Sequence, residues 1–117
     1  MKVLLINGSP HEKGCTYTAL SLIAGELNAA GIETEILNVG TKPVGGCIGC
    51  GGCAKGNGCV FGGVVNEAIE KARTADAFVF GTPVHYASAS GNMTSFMDRL
   101  AYAGGRYLAY KPAAICC

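Results

Sequence analysis

Four cysteines, Cys47-x-x-Cys50-x-x-Cys53-x5-Cys59, fall within thirteen residues, and Gly45, Gly46, Gly49, Gly51, Gly52, Gly56 and Gly58 separate or flank them. Close-set thiols on a glycine-rich backbone suit a [4Fe-4S] cluster, because four thiolates must converge while backbone amides reach the sulfurs. Two other chemistries fit the same residues. Four thiolates also make a tetrahedral zinc site, although zinc ribbons usually split their ligands between two separated knuckles. Free or oxidised thiols lining a cofactor site or an interface are the third reading, and the spacing leaves all three open.

A second chemistry-bearing stretch lies at the start of the chain. The apolar run Val3-Leu4-Leu5-Ile6 leads into Asn7-Gly8-Ser9-Pro10-His11-Glu12-Lys13-Gly14-Cys15-Thr16 and then into a helical pattern. A loop between a parallel strand and a helix start offers unpaired N–H groups and the positive helix end to an anion. Ser9 and Thr16 add hydroxyls, while Gly8 and Gly14 allow close backbone approach. Gly14-Cys15-Thr16 stands where a P-loop needs Gly-Lys-Ser/Thr, and no Gly-x-Gly-x-x-Gly follows the strand. What remains is a hydroxyl-rich loop around one terminal phosphate, as expected for FMN in a doubly wound sheet.

The third stretch is Gly81-Thr82-Pro83-Val84-His85-Tyr86-Ala87-Ser88-Ala89-Ser90-Gly91. Pro83 fixes its own φ and holds Thr82 extended, so that Val84 to Tyr86 present backbone donors in a set frame. Such donors suit the polar edge of an isoalloxazine, with Tyr86 flanking the rings. His85 reads equally as a solvent-facing loop residue or as a group at the ring edge that handles protons.

These loops need elements to hold them. Ala19, Leu20, Ile23, Ala24 and Leu27 recur at helical spacing up to a stop at Gly31, with Ser21, Glu26 and Asn28 on the other side. Glu33 to Val39 reads as a half-exposed edge strand, and Gly40 to Gly62, with nine glycines, as a long irregular and therefore functional segment. Val65, Ala68, Ile69 and Ala72 mark a second helix over 64–73, and Ala75 to Gly81 a buried central strand. A third helix is expected from Gly91 or Asn92 to Tyr102, then a glycine-containing connection and a fourth strand from Ala113. Met93, Phe96, Met97 and Leu100 are its core or interface side, and Cys116 and Cys117 are buried fillers of the last strand.

The alternation predicts one domain over residues 1–117. The expected architecture is a flavodoxin-like three-layer α/β/α sandwich with a parallel sheet in the order 2-1-3-4(-5), truncated in strand four. Of 117 residues, 15% are charged and the formal net charge is +1, which argues against nucleic acid or an anionic membrane as partner. No apolar run has the length of a membrane span, and Met1 to Ile6 lacks the features of a leader, so a cytoplasmic protein is expected. Seven cysteines, an odd number, then point to metal or redox chemistry rather than a disulfide scaffold.

Taken together, Gly8-Ser9-Pro10 with Gly14-Cys15-Thr16, Gly81-Thr82-Pro83-Val84-His85-Tyr86 through Ser90-Gly91, and Phe96-Met97-Asp98-Arg99 resemble the NADPH-dependent FMN reductase family of flavodoxin-like proteins. The resemblance runs over essentially the whole chain. It implies FMN phosphate held by Ser9, His11, Cys15 and Thr16, and isoalloxazine contacts from Pro83, Val84, His85, Tyr86 and Ser88. It also implies NAD(P)H or a small redox protein as electron donor, and a homo-oligomer. Cys15 departs from the family, which usually carries Asn there. Asp98-Arg99 reads as a structural pair that anchors the third helix or a subunit contact. The cysteine spacing resembles the iron-sulfur flavoproteins, a branch in which electrons pass between a cluster, here on Cys47, Cys50, Cys53 and Cys59, and FMN. The expected function is that of an FMN-dependent oxidoreductase, and the alternatives are a flavodoxin-like carrier without NAD(P)H turnover or a cofactor-free fragment.

Overall fold

A computed structural model describes residues 1–117. The chain runs β1 (Lys2–Asn7), α1 (Cys15–Ala29), β2 (Glu33–Asn38), α2 (Val64–Thr74), β3 (Ala77–Gly81), β4 (Val84–His85), β5 (Ser88–Ala89), α3 (Gly91–Leu108) and β6 (Ala113–Cys116), with one 3-10 turn at Gly52–Lys55. The main sheet has the order β2-β1-β3-β6, and every neighbouring pair is parallel. This is the expected flavodoxin-like order.

Alternation along β1 assigns the layers, since successive side chains of a strand face opposite sides of the sheet. Val3 and Leu5 join Leu20 and Ala24 of α1 and Val79 of β3 on one face. Leu4 and Ile6 join Val65 and Ile69 of α2 and Met93, Phe96 and Leu100 of α3 on the other. The central strand is buried because helices cover both faces, and β2 lies at an edge with its first residue exposed. Glu35 on this edge pairs with Lys71 of α2 and, at 3.0 Å, with Lys2 of β1, which ties three elements together at the surface.

Boundaries follow local chemistry at α1 and α2. Gly31, at φ 80°, takes the left-handed conformation that ends α1, and Val65, Ala68, Ile69 and Ala72 are the buried face of α2. Elsewhere tertiary packing overrides the local signal. Helix α3 continues past Tyr102 to Leu108, and Gly104 and Gly105 lie inside it rather than in a connection. A Cβ at Gly104 would stand 2.8 Å from Ile69 Cγ1, so the glycine lets α3 approach α2 closely. Ser21 is not on a solvated side, for its hydroxyl is buried without a hydrogen-bond partner. Cys116 is half-buried and Cys117 exposed, so neither is a core filler. No helix is long and apolar enough to cross a membrane.

Candidate functional site

The carboxyl ends of β1 and β3 bring the first and third chemistry-bearing stretches together. Gly8 N–H donates to Gly81 O at 2.8 Å, and Ser90 Oγ donates to Gly8 O at 2.9 Å. Ser90 also accepts from Met93 N–H at 3.2 Å, so one side chain caps α3 and grips the first loop. Thr82 closes the base of the second loop, its hydroxyl accepting from Ser90 N–H at 3.1 Å and donating to Pro83 O at 3.0 Å.

Asn7, fully buried, organises the first loop. Its Oδ1 accepts from Ser9 N–H at 3.1 Å while its amide nitrogen donates to Asn38 Oδ1 at 2.9 Å and Glu12 O at 3.3 Å. Ser9 is buried, and its Oγ accepts from His11 N–H at 3.1 Å, keeping its own proton to donate. Helix α1 then starts at Cys15 with no side-chain cap and no acidic residue in its first turn. The N–H groups of Cys15, Thr16 and Tyr17 therefore lack intrahelical acceptors at the positive helix end. Gly40 backs this loop so closely that a Cβ there would lie 2.3 Å from Gly8 O and 2.4 Å from Ser9 O.

The second loop is not irregular throughout: Val84 pairs with Ala89 and His85 with Ser88 in a two-residue hairpin. Its turn residues, Tyr86 at φ 49° and Ala87 at φ 64°, are both left-handed, as a type I′ turn requires. Neither is glycine, so the tip carries backbone strain. Val84, His85, Tyr86 and Ser88 are all exposed, and Pro83 is half-buried.

Two cavities flank these loops. Cys15 and Thr16 share a cavity of about 230 Å³ with Thr82, Pro83, Cys116 and Cys117. Gly8 and Pro10 share a cleft of about 290 Å³ with His85, Ser90, Gly91 and Asn92. Cys15, Thr16 and Pro83 therefore line the first cavity and His85 the second, while Ser9 is buried in the loop after β1, His11 lies exposed on that loop and Tyr86 sits at the outer tip of the hairpin. Cys116 lines the first of these cavities from β6, with burial and the neighbouring Cys117 pushing its thiol pKa up.

The four loop cysteines form a separate feature. Cys47, Cys50, Cys53 and Cys59 line one cavity of about 120 Å³ together with Phe61 and Arg99. No three His, Cys, Asp or Glu side chains converge on a single metal-ion position. Four thiols on one cavity in a glycine-rich backbone are a donor set that either a thiolate-ligated cluster or a zinc ion could use. Burial opposes ionisation of Cys59, but the Phe61 backbone N–H and the Arg99 guanidinium together hold its thiol below the ordinary value.

One helix braces this loop. Asn92 donates to Gly40 O and Lys42 O, each at 3.0 Å, and accepts from Val44 N–H at 3.1 Å. Arg99 donates to Gly45 O at 3.3 Å, Gly62 O at 2.9 Å and Cys59 Sγ at 3.3 Å. Arg106 donates to Gly56 O at 3.1 Å. From α2, Asn66 exchanges both amide bonds with the backbone of Cys59, at 2.8 and 2.9 Å.

Of the Asp98-Arg99 pair expected to be structural, Arg99 anchors α3 to the thiol loop, whereas Asp98 is exposed. The seven-residue spacing of Asn92, Arg99 and Arg106 is a legible stripe on one helix face. Its targets are carbonyls of a glycine-rich loop, which leave no trace in side-chain patterns. Asn7, Asn66 and Ser90 were missed for the same reason, except that Ser90 before a helix is a recognisable cap.

Comparison with known proteins agrees with this arrangement. The family model described as NADPH-dependent FMN reductase matches residues 1–117. An iron-sulfur flavoprotein of Archaeoglobus fulgidus is 36% identical over 99 residues, covering 85% of this chain and 48% of that protein. One from Methanocaldococcus jannaschii is 33% identical over 99 residues, covering 85% and 51%. The chain spans about half the length of these relatives. Among solved structures, an NAD(P)H:quinone oxidoreductase from Methanothermobacter marburgensis superposes with a TM-score of 0.72 at 18% identity, covering 98% of this chain and 63% of that one. At that identity the likeness is one of fold. With the whole chain matched by the family model and about a third of the aligned residues identical to those of the two flavoproteins, the chain belongs to the NADPH-dependent FMN reductase family.

Proposed function

We propose that this chain forms the FMN-binding part of an oxidoreductase that receives electrons from NAD(P)H or a small redox protein, and that its thiol loop holds a [4Fe-4S] cluster. The observation that carries the reading is the joining of the two loops, side by side at the carboxyl ends of β1 and β3, by the Gly8–Gly81 and Ser90–Gly8 hydrogen bonds. The uncapped start of α1 fits a terminal phosphate, with the Cys15 and Thr16 N–H groups and the Ser9 and Thr16 hydroxyls as donors and His11 at the rim. Pro83, Val84, His85, Tyr86 and Ser88 frame the ring system from the hairpin. When bound, the flavin supplies the hydride and one-electron chemistry. The chain's residues position it, and Asn7 keeps Ser9 in place from beneath.

The cluster reading is supported by four cysteines around one cavity and by relatives named iron-sulfur flavoproteins. Cys47, Cys50, Cys53 and Cys59 would hold it, and the amide-rich loop would offer hydrogen bonds to its sulfurs. Exposed Ile48, Val60, Phe61 and Tyr102 around that cavity supply the apolar surface for the homo-oligomer that the family resemblance implies.

Anaerobic purification followed by a visible spectrum, an iron assay and NAD(P)H oxidation with added FMN tests the reading. Flavin absorbance with iron and turnover is the expected result. Flavin without turnover on NADH or NADPH would favour an electron carrier, and a colourless protein that stays so after FMN is added would overturn the reading.

A further inference from the structure

We propose that Arg99 is a positioning residue that holds the thiol loop open for its cluster and raises the cluster's reduction potential through Cys59, an inference that rests on the cluster reading above. Its side chain is 8% exposed, and none of the chain's ion pairs involves it. A buried cation without a counter-charge is costly to keep. The group it faces is the sulfur of Cys59, and the cavity it lines carries three more thiols. A thiolate-ligated cluster would bring the missing negative charge to that spot.

The geometry also explains why the residue is arginine. Nε reaches Cys59 Sγ, while the two terminal nitrogens reach Gly45 O and Gly62 O, which lie on either side of the Cys47-to-Cys59 segment. One planar fork thus pins both ends of the loop and one of its ligands, which the point charge of lysine cannot do. The anchor is rigid, because Met93, Phe96 and Leu100 hold α3 in the core. The Arg99 guanidinium also lies 5.8 Å from the Phe61 ring centroid.

Reduction adds one electron to the cluster and breaks no bond. Part of the added charge falls on the thiolate sulfurs, so an N–H donor with a positive charge at Cys59 stabilises the reduced form more than the oxidised one. Removing it should make the cluster harder to reduce.

The test uses the chain labelled with 15N only in its arginines, Arg73, Arg99 and Arg106, loaded with iron and sulfide anaerobically and reduced by dithionite. Electron-nuclear double resonance of the wild type should show a 15N coupling to the cluster that persists in Arg73→Gln and vanishes in Arg99→Lys. Redox titration should show the Arg99→Gln cluster shifted about tenfold toward its oxidised form, a midpoint lower by ~59 mV for one electron. A loaded wild type without arginine 15N coupling, or an Arg99→Gln cluster at the wild-type potential, overturns the proposal while leaving the cluster reading intact. A wild type without the coupling overturns the proposal even if the variants do not fold. A wild type that takes up no iron overturns the cluster reading and this inference with it.

Discussion

Ser9 and Gly40 carry the first loop in opposite ways, one by what it donates and the other by what it lacks. Ser9→Ala removes the oxygen that accepts from His11 N–H and leaves a donor short of its partner, at about 1 kcal/mol. FMN affinity should fall about tenfold by fluorescence titration, while chemical denaturation shows only that small loss. Gly40→Ala should be worse for both. Its Cβ would meet two backbone oxygens of the loop at 2.3 and 2.4 Å, so the loop must move, at about 1–3 kcal/mol. Residue types announced Ser9 and Thr16 because hydroxyls beside glycines after a strand have few other uses. Gly40 carried no such sign, because its role is a contact with a segment thirty residues away in sequence. Arg99 was visible as a residue but not as a brace, since its acceptors are backbone carbonyls.

Among the elements, α1, α2 and the four main strands could be read from apolar periodicity, which tracks burial directly. Two features could not. The hairpin β4–β5 turns on Tyr86-Ala87 instead of the Asn-Gly or Asp-Gly that marks such turns, so its sequence looks like plain loop. Ala87→Gly should relieve the left-handed strain and raise stability by up to about 1 kcal/mol in urea denaturation. The length of α3 was hidden by Gly104 and Gly105, residues that often end helices, although here both lie inside the helix and Gly104 sits where it meets Ile69. Gly104→Ala should therefore cost about 1–3 kcal/mol despite alanine's higher helix propensity. Gly25→Ala in α1, with no atom within 4 Å of its new methyl, should gain about 0.5–1 kcal/mol. The two glycines are alike in sequence and opposite in sign.

Across the molecule, the layered architecture puts the carboxyl ends of β1 and β3 side by side, and the adjacency of the two loops follows from that topology. Outside it, Glu35 with Lys71 and Lys2 is the main surface electrostatic tie. The hydrogen bond from Lys71 holds the Glu35 carboxyl below its ordinary range, against the opposing effect of burial, with Lys2 adding to it. Glu35 in turn holds the Lys71 ammonium above its ordinary value. The carboxylate's share of stability is thus complete above the ordinary carboxylate range and is lost as pH falls through the lowered value. The lysine's share is complete below its ordinary value and is lost as pH rises through the raised one. Glu35→Gln should cost about 1 kcal/mol or less at neutral pH, and urea midpoints of variant and wild type should converge in strong acid.

Parallel fluorescence titrations with FMN and with riboflavin, which lacks the phosphate, address the proposed site as a whole. FMN should bind at least tenfold more tightly, because in the proposed site the start of α1 and the hydroxyls of Ser9 and Thr16 would act on the phosphate alone. Equal affinity for the two, or none for either, would contradict it.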